Sequence, residues 1–174
     1  TDFKAQLTKV RKEEPDVLLI PDYYEKVALI APQVRDAGID ATLVGADGWD
    51  TVLSVMDESS FDAINGSYFA NQFTLEDPSE KVQKFIKDYK DKYNEDPSTF
   101  AAEGYDTVYL YKQAVEAAGS FDWDKVIAAL KGISFDGITG SFTYDENNNP
   151  VKTAKMIRIE DGKYKFDSDA GIDK

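Results

Sequence analysis

What most constrains this chain is the alternation of helix-period and strand-like segments over residues 2–70. Phe3, Leu7 and Val10 recur at helical spacing behind Asp2, a residue suited to capping. Pro15 stops that helix. VLLI at 17–20 follows as an apolar run without alternation, the pattern of a strand buried on both faces. A second helix is expected from Tyr24 to Ala37, with Val27, Ile30, Ala31 and Val34 inward and Gly38 at its C-terminal cap. ATLVG at 41–45 reads as another short strand, a short helix starts near Asp50, and NGSYFA at 65–70 adds a further strand. This rhythm predicts an α/β chain built on an open, mostly parallel sheet with helices on both faces.

The pattern then changes. Helices are expected from Pro78 to Tyr93, with Val82, Phe85, Ile86, Tyr89 and Tyr93 inward, from Ser98 to Ala118 with Gly119 closing it, and from Asp122 to Lys131. No strand separates them. After Gly137, GSFTYD (140–145), the polar turn ENNNP (146–150) and TAKMIRIEDGKY (153–164) read as a β-hairpin. The tail SDAGIDK is expected to fray. Such an order predicts a two-lobed protein whose chain crosses between lobes near TLEDP (74–78), with one lobe mostly outside these residues.

Composition excludes several functions. The net charge of −13, from 33 acidic and 20 basic residues, disfavours nucleic acid and anionic lipid as partners. There is no histidine and no cysteine, so Ser-His-Asp and Cys-His catalysis and disulfides are impossible, while the compartment stays open. No apolar run approaches the ~20 residues of a membrane span, and no secretory leader is expected within the chain. Neither GxGxxG nor GxxxxGK[ST] follows a strand. The acidic turns NEDP (94–97) and DENNN (145–149) lack EF-hand spacing, so neither a metal nor a cofactor is expected.

In open parallel sheets, ligands lie beyond the carboxyl ends of the strands. Two loops occupy that position here, PDYYE (21–25) and ADGWD (46–50), and parallel pairing puts both on one edge. Asp47, between Ala46 and Gly48, is either a ligand contact or a cap for the following helix, a role Asp50 also suits. Tyr23 is either a ligand contact or edge packing, and Tyr24 reads as packing. Trp49 reads as a cleft wall or a contact between lobes. Asp22, Asp47 and Asp50 could supply a glycosidase-like carboxylate pair, but an acidic chain yields such clusters by chance.

DVLLIPDYYEKVALIAPQVRDAGIDATLVGADGWD (16–50), GSYFANQFTLEDP, FAAEGYDTVYLYKQAVEAAGS (100–120) and FDGITGSFTYDENNNPVKTAKMIRIEDGKYK occur in that order. Together they resemble the type I periplasmic solute-binding proteins, most nearly the branched-chain (Leu/Ile/Val-type) amino-acid binding proteins of ABC transporters. The resemblance spans nearly the whole chain, which corresponds to the second half of such a protein. It implies two α/β lobes: residues 1–73 in the C-terminal lobe, 74–136 as helices crossing back to the N-terminal lobe, and 137–174 returning as a hairpin of the C-terminal lobe. The ligand sits between the lobes. The C-terminal lobe contributes an acid to the amino acid's ammonium and an aromatic beside it, which by position are Asp47 and Tyr23. Some members carry Glu in place of Asp47. The implied function is non-enzymatic: capture of an amino acid outside the cytoplasm, in the periplasm or lipid-anchored at the cell surface, and delivery to a membrane permease. A ligand-binding sensor domain of the same fold is the alternative, and an enzyme on a similar scaffold is the third class. Without the N-terminal lobe, the apolar stripes of the three helices are expected to be covered by a second copy of the chain, through segment exchange, or to stay loosely ordered.

Overall fold

The computed structural model describes residues 2–171. In chain order the elements are α1 (Lys4–Lys12), β1 (Val17–Leu19), α2 (Tyr24–Asp36), β2 (Thr42–Gly45), α3 (Val52–Val55), β3 (Tyr68–Asn71), α4 (Glu80–Tyr93), α5 (Thr99–Ala118), α6 (Trp123–Leu130), β4 (Phe135–Gly137), β5 (Gly140–Tyr144), β6 (Pro150–Val151), β7 (Ala154–Glu160) and β8 (Lys163–Ala170). Two 3₁₀ turns, Asp47–Trp49 and Glu58–Ala63, flank α3. The chain divides into two compact units. Unit one comprises the residues up to Asn71 together with Lys155–Asp169, and unit two comprises Gln72–Ala154 with the segment after Asp169.

In unit one, α1 starts where the Asp2 carboxylate accepts the amide of Lys4 at 2.8 Å. The stripe Val27, Ile30, Ala31 and Val34 of α2 is buried, and Gly38, at φ +72°, turns the chain out of that helix. Arg35 then fastens the turn into β2, since its guanidinium donates to the carbonyls of Ile39 (2.9 Å), Ala41 (2.8 Å) and Ala63 (3.0 Å). The sheet order is β1-β2-β3-β7-β8. β1, β2 and β3 are parallel, with Leu18 opposite Leu43 and Gly45 opposite Phe69. β7 joins β3 antiparallel, with Ile157 opposite Phe69.

One face of this sheet carries Leu18, Ile20, Leu43, Phe69, Ile157 and Ile159, packed under residues of α1, α2 and α3. Burying each such side chain contributes about 1.5–3 kcal/mol. By register, Val17, Leu19, Val44, Tyr68, Ala70 and Met156 share the other face. There Val17 is 57% and Leu19 62% exposed. This corrects the expectation of a strand buried on both sides. β1 is one of the sheet's two edge strands, and the helices packed into this unit's core lie over its opposite face.

In unit two, Ser98 caps α5 by accepting the Ala101 amide, Asp122 caps α6 by accepting that of Lys125, and Gly119 ends α5 at φ +59°. Val82 and Phe85 of α4 are buried, but Tyr93 is 53% exposed and does not point inward as expected. Instead it closes a run of rings, Tyr93–Tyr89–Phe85–Tyr105–Tyr109. The Tyr105 hydroxyl is pushed up to about 12, first by its hydrogen bond with Tyr109 and then by burial. The buried carboxylate of Asp106 gathers the turn between β4 and β5, accepting from Ile138 N (3.0 Å), Thr139 N (2.8 Å) and Thr139 Oγ1 (2.7 Å). Gly137 makes room for it: a Cβ there would stand 2.2 Å from Asp106 Oδ2.

The expected hairpin forms differently. β5 pairs with β4 and, for two residues only, with β6, while β7 leaves for the sheet of unit one. Two forces divide it. The Asp145 carboxylate accepts from Asn147 N and Asn149 N, both at 2.8 Å, and tightens the turn. Ile157 and Ile159, alternating along β7, bury themselves in the first unit's core. Ser168–Ala170, expected to fray, lie in β8, and residues 172–174 fall outside the described residues.

Candidate functional site

The carboxyl ends of β1 and β2 meet as their parallel pairing requires, and Trp49 locks them together. Its indole is fully buried, and Nε1 donates to the carbonyl of Ile20 at 2.9 Å. Gly45 is what admits the ring, because a Cβ at that position would fall 2.2 Å from it. Trp49 is therefore a core anchor, stacked on Phe69 with centroids 6.4 Å apart, and the expectation of a cleft wall or lobe contact is corrected. Gly48 rests against the neighbouring loop: a Cβ there would meet the Asp22 carbonyl at 2.9 Å and Tyr23 at 3.4 Å. The GADGWD segment thus alternates inward and outward tasks, with Gly45, Gly48 and Trp49 packing the two loops and Asp47 left exposed.

Tyr23 is 62% exposed on the adjoining loop, where its amide donates to Asp22 Oδ1 at 2.8 Å. Tyr24 turns the other way and packs on the core, as its place one residue on requires. Asp47 Oδ1 accepts the Gly48 amide at 3.1 Å. An exposed carboxylate and an exposed phenol ring consequently occupy adjacent loops at one edge of the sheet. Such a pair can hold a small cation through charge, hydrogen bonding and the ring face.

Two features behind this edge were not legible beforehand. Thr51 adopts a left-handed conformation (φ 70°, ψ 4°) between the 3₁₀ turn and α3. For a β-branched residue this stores about 1–3 kcal/mol of strain. The Leu53 amide, in the first turn of α3, donates to the hydroxyl of Tyr164 on β8 at 2.9 Å. Phe69 meets the same ring edge-on, with centroids 5.7 Å apart. Burial raises the Tyr164 pKa well above the ordinary phenol value and the nearby Asp50 charge adds to this, while the Leu53 N–H opposes it.

That shift predicts a pH response. A phenol whose folded pKa is raised contributes stability that is fully present below its unfolded value of about 10 and is lost as pH climbs through the folded value. Going from about pH 8 to about pH 11 should therefore cost the wild type more stability, in urea unfolding, than it costs Tyr164→Phe. Equal losses would remove Tyr164 from the alkaline response.

Open α/β sheets with such loops at the strands' carboxyl ends are a recurrent small-molecule binding architecture. The model of the Periplasmic binding protein family matches residues 1–163, and the chain belongs to that family. It is 30% identical over 150 residues to the leucine-, isoleucine-, valine-, threonine- and alanine-binding protein of Pseudomonas aeruginosa, an alignment covering 85% of this chain and 39% of that protein. It is 28% identical over 171 residues to the Leu/Ile/Val-binding protein homolog 1 of Brucella abortus, covering 95% and 45%. Among solved structures, the leucine binding protein LivK from Thermotoga maritima matches with a TM-score of 0.86 at 30% identity, covering 98% of this chain and 49% of that one. The branched-chain amino acid binding protein LivJ from Streptococcus pneumoniae, in complex with isoleucine, matches at 0.72 and 34%, covering 98% and 48%. The chain spans less than half the length of these relatives.

Proposed function

We propose that this chain is part of a two-lobed, extracytoplasmic solute-binding protein that captures a branched-chain amino acid and hands it to the permease of an ABC importer. The observation that carries the reading is the pairing of an exposed carboxylate, Asp47, with an exposed ring, Tyr23, on adjacent loops at the sheet's carboxyl edge. Asp47 holds the ligand's ammonium and Tyr23 lies against it. The names of the relatives support the ligand class.

On this reading unit one is the C-terminal lobe's share, and the helices of unit two cover a sheet supplied by the N-terminal lobe. Apolar surface left open within each unit supports that division: Val17 and Leu19 on the sheet, and Val108 and Tyr111 on α5, 66% and 53% exposed. Contiguous apolar patches of this kind mark interaction sites. The family is one of solute binders, so the ligand leaves unchanged.

Calorimetric titration of the two-lobed protein with L-leucine tests the reading. Binding at micromolar or better affinity is expected, and Tyr23→Ala should weaken it about ten-fold through loss of the ring–cation contact. Tyr24→Ala should lower stability and leave affinity nearly intact, because Tyr24 packs on the core. The reverse order would exclude Tyr23 from the site.

A further inference from the structure

We infer that Tyr164 and Thr51 are positioning residues that hold the 46–53 loop, and through it Asp47, in one place. The inference rests on the reading of Asp47 as the ligand's ammonium partner. The loop is held at two points by groups distant in sequence. In its middle, two residues after Asp47, Trp49 is bonded to the carbonyl of Ile20 at the end of β1. At its end, the Leu53 amide is bonded to the Tyr164 hydroxyl on β8, 111 residues away. Between the two anchors stands Thr51 in a left-handed conformation that its branched Cβ disfavours. Strained backbone of this kind persists only where the surroundings over-determine it, and it concentrates where a side chain must be aimed. Two backbone bonds stiffen the path from Asp47 onward, Asp50 N to Asp47 O and Ser54 N to Thr51 O, so a displacement at Leu53 is passed back toward Asp47. Phe69 carries the connection across the sheet, touching Trp49 on one side and Tyr164 on the other.

The test combines Tyr164→Phe, which deletes the hydroxyl and keeps the ring, with Thr51→Gly, which removes the strain and needs no partner. Each is made in the two-lobed protein and examined by amide exchange and by titration with L-leucine at 25 °C. Faster exchange confined to residues 47–54 is expected in Tyr164→Phe, with affinity about five-fold weaker, the effect of one lost capping bond. Thr51→Gly is expected to weaken leucine binding to a similar degree with no loss of thermal stability. Unchanged exchange at Leu53, or faster exchange with unchanged affinity while Asp47→Ala does weaken binding, would overturn the inference. Should Asp47→Ala itself leave affinity unchanged, the assignment of Asp47 fails and the positioning of Asp47 falls with it, while the exchange data still report whether Tyr164 holds the loop.

Discussion

Replacing Asp47 by alanine is expected to cost 1.5 to 3.5 decades of leucine affinity in the two-lobed protein. Removing one partner of a desolvated, hydrogen-bonded charge pair costs about 2–5 kcal/mol, and ~1.4 kcal/mol corresponds to one decade. Asp47 is exposed at the sheet's carboxyl edge, and its neighbour Gly48 is packed against the Tyr23 loop. Its side chain is exposed and hydrogen-bonds the adjacent Gly48 amide at 3.1 Å, so thermal stability should stay near that of the wild type. Calorimetry and a melting curve on the same variant separate the two effects. An unchanged dissociation constant would end the assignment of Asp47 to the ammonium.

The second large effect lies one turn away and has the opposite signature. Trp49→Ala should destabilise unit one by about 3–5 kcal/mol, the usual cost of emptying a buried aromatic site. The variant also removes one of the two hydrogen bonds that the carbonyl of Ile20 accepts, leaving only that from the Asp22 amide. For a protein of this size that corresponds to a fall in Tm of roughly 6–20 °C. Affinity should fall only as far as the loops lose their shape. A variant that melts within about 2 °C of wild type would mean that the indole packs less completely than its full burial indicates.

These two residues stand two positions apart in GADGWD, and the sequence distinguishes them poorly. Local signals carried the α2 stripe, the Gly38 cap, the short strand ahead of Asp47 and the parallel rhythm that brings the two loops together. Periodicity reports the next turn of helix or the next pleat, and those features need nothing more distant. Trp49 finds its partner 29 residues away and Leu53 finds Tyr164 at 111, separations at which no local pattern survives. The exposure of Val17 and Leu19 escaped for another reason. An apolar run states what a strand can be buried against, and the faces actually covered depend on the elements that pack there. β4, with three residues, is too short for any periodic signal, and the Asp106 carboxylate that shapes the turn after it acts across 32 residues.

Unit one is not a continuous stretch of chain. Its strand β3 pairs with β7, yet all of 72–153 lies between them in sequence. On a ribosome, β3 would wait with its far edge unpaired, and with Phe69 lacking Ile157 as a neighbour, until the last strands emerge. The entropic cost of closing so long a loop grows only slowly with its length, so the finished sheet loses little by the detour. Assembly is where the detour matters: an open strand edge is a template for pairing with another chain, and newly made or truncated chains ending before Lys155 would be the aggregation-prone species.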